Sequence, residues 1–283
     1  MNLPAEPEPP RFEALADDAP PALRGLSLLR IERAGPVLHV RLNRPVKRNS
    51  ISDELLAQLH TVWLHIPRLA PEVKAAVISG EGAHFCAGLD LSEVSERSVT
   101  QAVHHSRSWH ACFDAIQYGP VPVVAVLHGA VVGGGLELAS SAHIRVAEAS
   151  TFYGLPEGTR GIFVGGGGSV RISRLIGVAR MTDMMLTGRV FDAEEGQQHA
   201  ISNYLVAEGA GLAKGLELAQ KIAGNTALSN YAITQALPRI ADLSASDGLF
   251  MEALMASIAQ SDEEAKERVR AFLEKRAGKV AKG

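Results

Sequence analysis

The chain has 283 residues, 46% of them hydrophobic and 21% charged, which is enough for one large domain or for a domain with a small appendage. Its 28 Lys and Arg against 31 Asp and Glu leave a net charge of −3, which gives no reason to expect a nucleic acid or an anionic membrane as a partner. The two cysteines lie outside any CxxC pair, which argues against a disulfide framework and a zinc site and fits a reducing compartment.

The first 24 residues carry six of the fourteen prolines, several acidic residues and no continuous apolar segment, a pattern unlike a signal peptide. Proline removes backbone donors and disfavours helix in the residue before it, so we predict an extended or flexible arm over residues 1–24. A plain tail and a segment that docks onto a neighbouring subunit are both compatible with it. No apolar run of about 18 residues occurs, so we expect no membrane-spanning helix.

From residue 27 the pattern is regular. "LSLLRIERAG" and "PVLHVRLNRP" predict two short strands with a turn at Ala34-Gly35. "SDELLAQLHTVWLHI" has helical spacing, with Ser52 as its N-cap. The buried strand "VKAAVISG", the loop "EGAHFCAGLDL", a helix over about 101–117 and the strand "VPVVAVLHG" follow.

Strand, glycine-rich turn and helix then repeat: "VVGGGLELASSA" precedes the strand "HIRVAEAS", and "FYGLPEG" leads to "GGGGSVRISRLIG". This alternation predicts an α/β core over residues 25–206 with its active loops at strand ends. After about residue 207 only helical periodicity remains, which predicts a helical region over 207–283. Its last helix has an apolar stripe that includes Val269, Phe272 and Leu273.

The glycine clusters do not complete a nucleotide-binding motif, because "GGGLEL" and "GGGGSVR" lack the GxGxxG spacing and no GxxxxGK[ST] occurs. Ser169 is not in a nucleophile elbow, since Arg171 stands where that motif needs glycine. The adjacent His104 and His105 lack a carboxylate or Cys partner at ligand spacing. We therefore expect no Rossmann, P-loop, serine-hydrolase or metal site.

Two carboxylates remain as candidates. Glu137 follows three glycines at a strand-to-helix transition, where the first amides of the helix have no internal partner. Glu157 follows Pro156 in a rigid turn between a strand and a glycine-rich helix start. The small-residue turn Ala87-Gly88 in "HFCAGLDL" could turn backbone amides outward, and two such amides from separate loops make an oxyanion hole. Solvated helix caps and an ordinary loop are the alternatives for these segments.

In this order and spacing, the segments resemble the crotonase (enoyl-CoA hydratase/isomerase) superfamily. The resemblance rests on "LNRPVKRNSIS", "HFCAGLDL", "HGAVVGGGLELA", "YGLPEGTRGIFVGGGGSVRISRLIG" and "AFLEKR", and it covers residues 27–277. It implies a spiral of repeated ββα units followed by an all-helical oligomerisation region. Fold does not fix the reaction, because this superfamily hosts several chemistries on one oxyanion hole.

The resemblance also implies a set of catalytic roles. The N–H groups of Ala87 and Gly134 would hold the thioester oxygen of an acyl-CoA and stabilise an enolate. Glu137 would deprotonate a water that attacks C3, and Glu157 would protonate C2, which is the reaction of an enoyl-CoA hydratase. The alternatives are a Δ3,Δ2-enoyl-CoA isomerase that uses mainly Glu157, and a non-catalytic protein that binds acyl-CoA.

The remaining implications concern coenzyme A and assembly. The residues expected to bind CoA are Lys47 and Arg48 at its phosphates, the backbone near Asp90 and Leu91 at its adenine, and Phe272 and Lys275 from an adjacent subunit. A homotrimer or a dimer of trimers, cytoplasmic, with no metal and no cofactor beyond the CoA of the substrate, is expected. Val164 replaces the proline usual in the second catalytic loop and Leu89 a smaller residue, so the acyl group stays open.

Overall fold

A computed structural model of the protein describes residues 12–15, 19–69, 72–93 and 96–276. Residues 1–11 and 16–18 of the predicted arm lie outside the described residues. The chain forms two compact units, one up to Lys221 and one from Ile222. The sequence pattern placed the start of the helical region at residue 207.

The strands of the described residues alternate with helices through the first unit, as predicted. They are β1 (Glu13–Ala14), β2 (Leu29–Ala34), β3 (Val37–Leu42), β4 (Ala75–Gly80), β5 (Val123–Leu127), β6 (Ala130–Val132), β7 (Ile144–Glu148), β8 (Phe152–Gly154), β9 (Val190–Asp192) and β10 (Tyr204–Val206). The α-helices are α1 (Asp53–His65), α2 (Val99–Gln117), α3 (Gly134–Ser141), α4 (Gly168–Ile176), α5 (Val178–Thr187), α6 (Ala193–Gln198), α7 (Gly211–Ala223), α8 (Ala227–Ile240), α9 (Ala245–Ser261) and α10 (Glu263–Leu273).

Seven strands form the larger sheet in the order β1-β2-β3-β4-β5-β7-β10. The β1-β2-β3 edge is antiparallel, and every pair from β3 to β10 is parallel. Parallel strands need both faces covered, which explains why β4 and β5 are continuous apolar runs and almost completely buried. The carboxyl ends of these strands therefore lie together at one edge of the sheet.

A smaller sheet, β6-β8-β9, positions the two glycine-rich loops. β6 pairs in parallel with β8, so that Val132 lies opposite Gly154. Both strands end at this level, and each then leads into a turn that carries one of the candidate glutamates. An isolated bridge from Cys86 to Val131 joins the loop after β4 to the same strand. Three loops distant in sequence thus meet at one place.

The described part of the arm, predicted to be extended or flexible, is extended at Glu13 and Ala14 and packs on the first unit. Glu13 and Ala14 extend the larger sheet by pairing with β2, and the Phe12 ring lies 5.2 Å from the ring of His39. Ala19 and Leu23 are buried in the core. Proline is tolerated in the first turn of a helix, and a short 3-10 helix over Pro21–Leu23 brings Leu23 into the core.

Helix α7 belongs with the sheet, because small residues let it approach closely. A Cβ at Gly215 would lie 2.4 Å from Val126, and one at Gly211 would lie 2.8 Å from the same side chain. Both carboxylate oxygens of Glu148 accept amide hydrogen bonds at the start of this helix, from Gly209 and Gly211. Local periodicity indicates the helix but not this contact. In the second unit, α8 packs on α9 and α10 contacts α9.

Candidate active site

A cavity of about 330 Å³ lies where the three loops meet. It is lined by the segments 87–91, 133–137 and 157–166 and by one face of α2. Much of this lining is apolar, and its acidic side chains are Glu137 and Glu157. A concave, largely apolar space with few polar groups is typical of a small-molecule site.

The three consecutive glycines before Glu137 have separate structural reasons. Gly133 adopts φ of +53°, a conformation that side-chain-bearing residues rarely take. A Cβ at Gly134 would lie 2.7 Å from the indole ring of Trp109, and a Cβ at Gly135 would lie 2.2 Å from the carbonyl oxygen of Cys86. Helix α3 can therefore begin beside the cavity only with glycine at these three positions. Gly134 is the first residue of the helix, so its amide belongs to the first turn.

Glu137 lies in α3 with only 3% of its surface exposed. Its Oε1 accepts hydrogen bonds from the amides of Gly166 and Gly168, each at 2.8 Å. Burial raises the pKa of Glu137, and the amide hydrogen bonds and the charge of Arg171 oppose that rise. A Cβ at Gly168 would lie 2.8 Å from Cγ of Glu137. The run "GGGG" is therefore a close-fitting cradle for this carboxylate.

Glu157 faces the same cavity and is 7% exposed. Its Oε2 is buried without a hydrogen-bond partner. Burial raises its pKa to about 7, and the negative charge of Glu137 contributes to that rise. A carboxyl group with a pKa close to neutrality can carry a proton and release it under physiological conditions. Neither glutamate is a solvated cap, which was the alternative in the sequence.

Ala87 is not available as an oxyanion donor, because its N–H donates to the carbonyl oxygen of Arg48 at 3.0 Å. The amide of Leu89, two residues further along, is the alternative donor. The N–H of Ile51 donates to the carbonyl oxygen of Gly88, and the N–H of Asp90 donates to the carbonyl oxygen of Ile51. Leu89 lies between these two hydrogen bonds, in a parallel bridge with Ile51. Its own amide therefore points away from Ile51. Within the described residues this amide has no acceptor.

The amides of Leu89 and Gly134 are neighbours. The nitrogen of Leu89 lies 3.5 Å from the position that a Cβ on Gly134 would occupy. Gly134 is the first residue of α3, so its own amide has no acceptor in the helix. Both residues line the cavity. Two such donors can bind one anionic oxygen, which is the geometry of an oxyanion hole.

The residues expected to bind CoA differ in their surroundings. Lys47 and Arg48 are exposed, as a phosphate contact requires. Leu91 lines the cavity and is half exposed. The Asp90 carboxylate is used within the fold: it pairs with Arg44 at 2.8 Å and accepts from Ser92, and these hydrogen bonds lower its pKa to about 2. The N–H of Asp90 is likewise occupied, so of its backbone only the carbonyl could contact the adenine.

Phe272 and Lys275 lie at the end of α10 and just beyond it, in the second unit. The Phe272 side chain is 58% exposed, and Lys275 adopts φ of +58°. Their expected contact with the CoA of an adjacent subunit remains a prediction. Among the described residues, no three His, Cys, Asp or Glu side chains cluster as metal ligands, and no helix is long and apolar enough to cross a membrane.

Residues 32–281 match the family model described as enoyl-CoA hydratase/isomerase. The chain belongs to this family. The membership confirms the resemblance that the motifs indicated, and the solved structures below confirm the fold that it implied.

Several relatives cover nearly the whole of this family member. The enoyl-CoA hydratase EchA19 of Mycobacterium tuberculosis is 30% identical over 87% of this chain and 94% of its own. The 2,3-dehydroadipyl-CoA hydratase of Escherichia coli is 31% identical over 89% and 97%. A crystal structure from Rhodopseudomonas palustris CGA009, provisionally described as an enoyl-CoA hydratase, is 57% identical over 90% and 98%, with a TM-score of 0.86.

Sequence reasoning missed three parts of this site. It chose Ala87 rather than Leu89, because hydrogen-bond use along a loop cannot be read from residue types. It left the role of the glycines at 165–168 open, although four successive glycines before a helix indicate a close approach to another group. It did not single out Trp109, which lines the cavity from α2 and is 5% exposed. A tryptophan in a helix that is mostly polar was the only available signal.

Proposed function

We propose that this protein is an enoyl-CoA hydratase, which adds water across the C2=C3 double bond of a 2-enoyl-CoA to give a 3-hydroxyacyl-CoA. The observation that carries the proposal is the pairing of two buried carboxyl groups with two unengaged amides around one cavity. The second glutamate distinguishes hydration from chemistry that needs a single proton shuttle. The acyl-CoA substrate follows from the family.

The oxyanion hole acts first. The thioester oxygen would accept hydrogen bonds from the amides of Leu89 and Gly134. As water adds at C3, negative charge moves from the double bond onto this oxygen, and the enolate forms between the two donors. Donors aimed at developing charge in a water-poor site are worth roughly 3 to 4 kcal/mol each in mutational tests. The oxygen therefore binds more tightly in the transition state than in the substrate.

Glu137 would be the base. Its Oε1 is held by two amides, which leaves Oε2 to accept a hydrogen bond from a water. The ionised carboxylate takes one proton from this water as the water oxygen bonds to C3. The cradle fixes the carboxylate, so the water is held in one orientation. Positioned acid–base groups of this kind typically contribute about 10²- to 10⁴-fold.

Glu157 would be the acid. Its protonated carboxyl gives a proton to C2 as the enolate collapses back to the thioester carbonyl. The balance is one H and one OH added, with Glu137 left protonated and Glu157 ionised. Release of the product lets both groups exchange protons with solvent, which restores the starting state. The raised pKa of Glu157 suits this role, because a group that titrates near pH 7 is both protonated and easily deprotonated.

The assembly, the location and the cofactor requirement are also proposals. We propose a homotrimer or a dimer of trimers in the cytoplasm that needs no metal and no cofactor other than the CoA of its substrate. The proposal rests on the likeness to the crotonase superfamily. Exposed Lys47 and Arg48 suit the CoA phosphates, and the exposed Phe272 is compatible with a contact from a neighbouring subunit.

The test is a spectrophotometric assay with crotonyl-CoA and with longer and aromatic 2-enoyl-CoAs, following loss of the conjugated thioester absorbance. Turnover by the wild type, reduced by about 10²- to 10⁴-fold in Glu137→Gln and in Glu157→Gln, is the expected result. Glu208→Gln, at an exposed position outside the cavity, is the matched control and should keep full activity. Absence of turnover with every substrate would refute the proposal.

The same variants separate hydration from isomerisation. An isomerase that shuttles one proton through Glu157 would survive Glu137→Gln, whereas the proposed hydratase would not. Offering a 3-enoyl-CoA and following formation of the 2-enoyl product measures the isomerase activity directly. Tight acyl-CoA binding without turnover would instead favour a non-catalytic binding protein.

A further inference from the structure

Arg171 is a buried cation directly behind the cradle of Glu137. It lies in the first turns of α4 and is 9% exposed. Its guanidinium makes three different hydrogen bonds: Nε donates to Gln117 at 2.6 Å, Nη2 to Asp114 at 2.5 Å, and Nη1 to the carbonyl oxygen of Gly166 at 3.2 Å. The first two acceptors belong to α2. Arg171 therefore links the glycine loop to α2, a helix that is distant from this loop in sequence.

Gly166 is the link between Arg171 and Glu137. Its N–H donates to Oε1 of Glu137, while its carbonyl oxygen accepts from Arg171. The neighbouring Gly165 is held in the same way, since the Ser106 hydroxyl on α2 donates to its carbonyl oxygen at 2.5 Å. The amides that hold Glu137 thus belong to a loop whose carbonyls are held from behind. A shift of the guanidinium would move the donors and the carboxylate together.

Arg171 also introduces an asymmetry of charge between the two glutamates. Its positive charge lowers the pKa of Glu137 and opposes the effect of burial. The pKa of Glu157 is lowered by the charge of Arg160, but this side chain is exposed, so solvent screens its effect. Two carboxyls around one cavity can act as acid and base only if their environments differ. The buried guanidinium provides that difference on the side of Glu137.

We propose that Arg171 is a positioning residue that holds the Gly165–Gly168 loop around Glu137 and keeps this carboxylate ionised while Glu157 carries the proton. The kinetic part of this inference rests on the proposed hydratase activity. Nothing in it requires Arg171 to touch the substrate, because its guanidinium lies on the far side of the glycine loop.

Other charged groups face the same region. Glu157 lines the same cavity, and the negative charge of Glu137 contributes to its raised pKa. On α2, Asp114 pairs with Arg171 and has a side chain that is 56% exposed. His110, on the same helix, lies 3.5 Å from the Ser106 hydroxyl. His105 lines the cavity and pairs with Asp53 at 2.9 Å.

The experiment is the pH dependence of kcat/KM in wild type, Arg171→Met and Arg171→Lys. In Arg171→Met the acid limb, set by ionisation of Glu137, should move up by about 1 pH unit, the lower end of the effect of an adjacent opposite charge. kcat near pH 7 should fall more than KM rises, because the loss affects the base and not substrate binding. Arg171→Lys should keep the acid limb at its wild-type pH but recover kcat only in part, since an ammonium group cannot make the three hydrogen bonds of the guanidinium in the same geometry. Arg174→Met, one turn along the same helix and exposed, is the matched control and should leave the limb in place.

A second variant should shift the acid limb in the opposite direction. Asp114→Asn leaves the guanidinium in place but removes the negative charge beside it, so the acid limb should move to lower pH by a few tenths of a unit, small because solvent screens an exposed aspartate. An unmoved acid limb in both Arg171→Met and Asp114→Asn, with kcat merely reduced, would overturn the proposal in favour of a purely structural role. Asp114→Asn also tests the proposal by itself if Arg171→Met fails to fold.

A measurement without turnover separates this inference from the proposed function. Protein with ¹³C-labelled glutamate carboxyl groups can be titrated by NMR, with Glu137→Gln identifying the signal. The Glu137 titration should shift upward in Arg171→Met and downward in Asp114→Asn even if no enoyl-CoA is hydrated. Active wild type with an unmoved Glu137 titration would refute the role of Arg171 alone.

Discussion

Among the described residues, Oε2 of Glu157 is buried without a hydrogen-bond partner. Since burial raises its pKa to about 7, the carboxyl is still largely protonated where an exposed glutamate would be fully ionised. If it acts as the acid, kcat/KM should fall as pH rises above about 7. A pH–rate profile measures this basic limb, and the residual activity of Glu157→Gln should lack it. A limb that persists in this variant would assign it to another group.

The same raised pKa makes a prediction about stability. The carboxyl is neutral in both states below pH 4.5, and between 4.5 and about 7 it ionises in the unfolded chain but not in the folded one, so stability falls with rising pH over this window. The difference corresponds to roughly 3 kcal/mol when fully developed. Glu157→Gln should therefore be more stable than wild type in urea unfolding at pH 8 and about equal to it at pH 4. Equal stability at both values would contradict the raised pKa.

Substitution of Gly134 by alanine, which adds a single carbon atom, tests the proposed oxyanion hole. The backbone at Gly134 would tolerate alanine, but the new Cβ would lie 2.7 Å from the Trp109 ring, so the amide must move. Gly134→Ala should lower kcat by about 10²-fold or more, as loss of one oxyanion donor does. The crowded methyl group should also lower the free energy of unfolding by roughly 1 to 3 kcal/mol. The double variant Gly134→Ala/Trp109→Leu, which makes room for the methyl group, should regain part of the activity. No recovery would mean that the methyl group acts on the substrate and not on Trp109.

At the scale of elements, α2 decides the shape of the acyl site. The Trp109 indole lies 2.7 Å from the position of a Cβ on Gly134 and 3.1 Å from that of a Cβ on Gly166, and its ring packs edge-on against Phe113. In the proposed reaction, the acyl carbons beyond C3 would meet this indole. Leu89, on the opposite loop, narrows the same space.

Replacing Trp109 should thus change the acyl-length preference. Trp109→Leu should raise kcat/KM for a long 2-enoyl-CoA relative to crotonyl-CoA by about tenfold or more, since each accommodated methylene is worth roughly 1 to 3 kcal/mol. Val103→Ala, on the same helix but outside the cavity, is the control. An unchanged ratio across a series of chain lengths would show that the acyl group leaves the site by another path.

At the scale of the whole molecule, the second unit presents apolar side chains that no contact within the described chain covers. Phe250 and Leu249 are about two-thirds exposed, and a cavity lined by Phe250 and Leu254 opens beside them. Exposed apolar surface of this kind suits the assembly proposed above. Light scattering should therefore give a mass of about 90 kDa for a trimer or about 180 kDa for a dimer of trimers, from a chain of 30.0 kDa. Phe250→Asp should lower that mass and Glu252→Ala should not, whereas a wild-type monomer would refute the assembly.

Most secondary structure of the first unit could be predicted from sequence because its signals are local. The alternation in "PVLHVRL" and the apolar run "VVAVL" sit on β3 and β5, and Ser52 does cap α1 by accepting from the amide of Leu55. The two glutamates were also found from sequence, since the glycines and Pro156 around them are unusual neighbours for a charge. The helix that contains "GGLEL" begins at Gly134, at the strand-to-helix transition that the glycines indicated.

What the sequence by itself determined about this protein is therefore its elements, its family and its two candidate carboxylates. The tertiary structure decided that the amide of Ala87 is not available to a ligand, because it donates to the carbonyl oxygen of Arg48, in a loop distant in sequence. It also decided the environment of Glu137, whose partners Gly166, Gly168 and Arg171 are about thirty residues away. Hydrogen-bond partners and pKa values depend on burial and on groups distant in sequence, and only the folded chain brings those together.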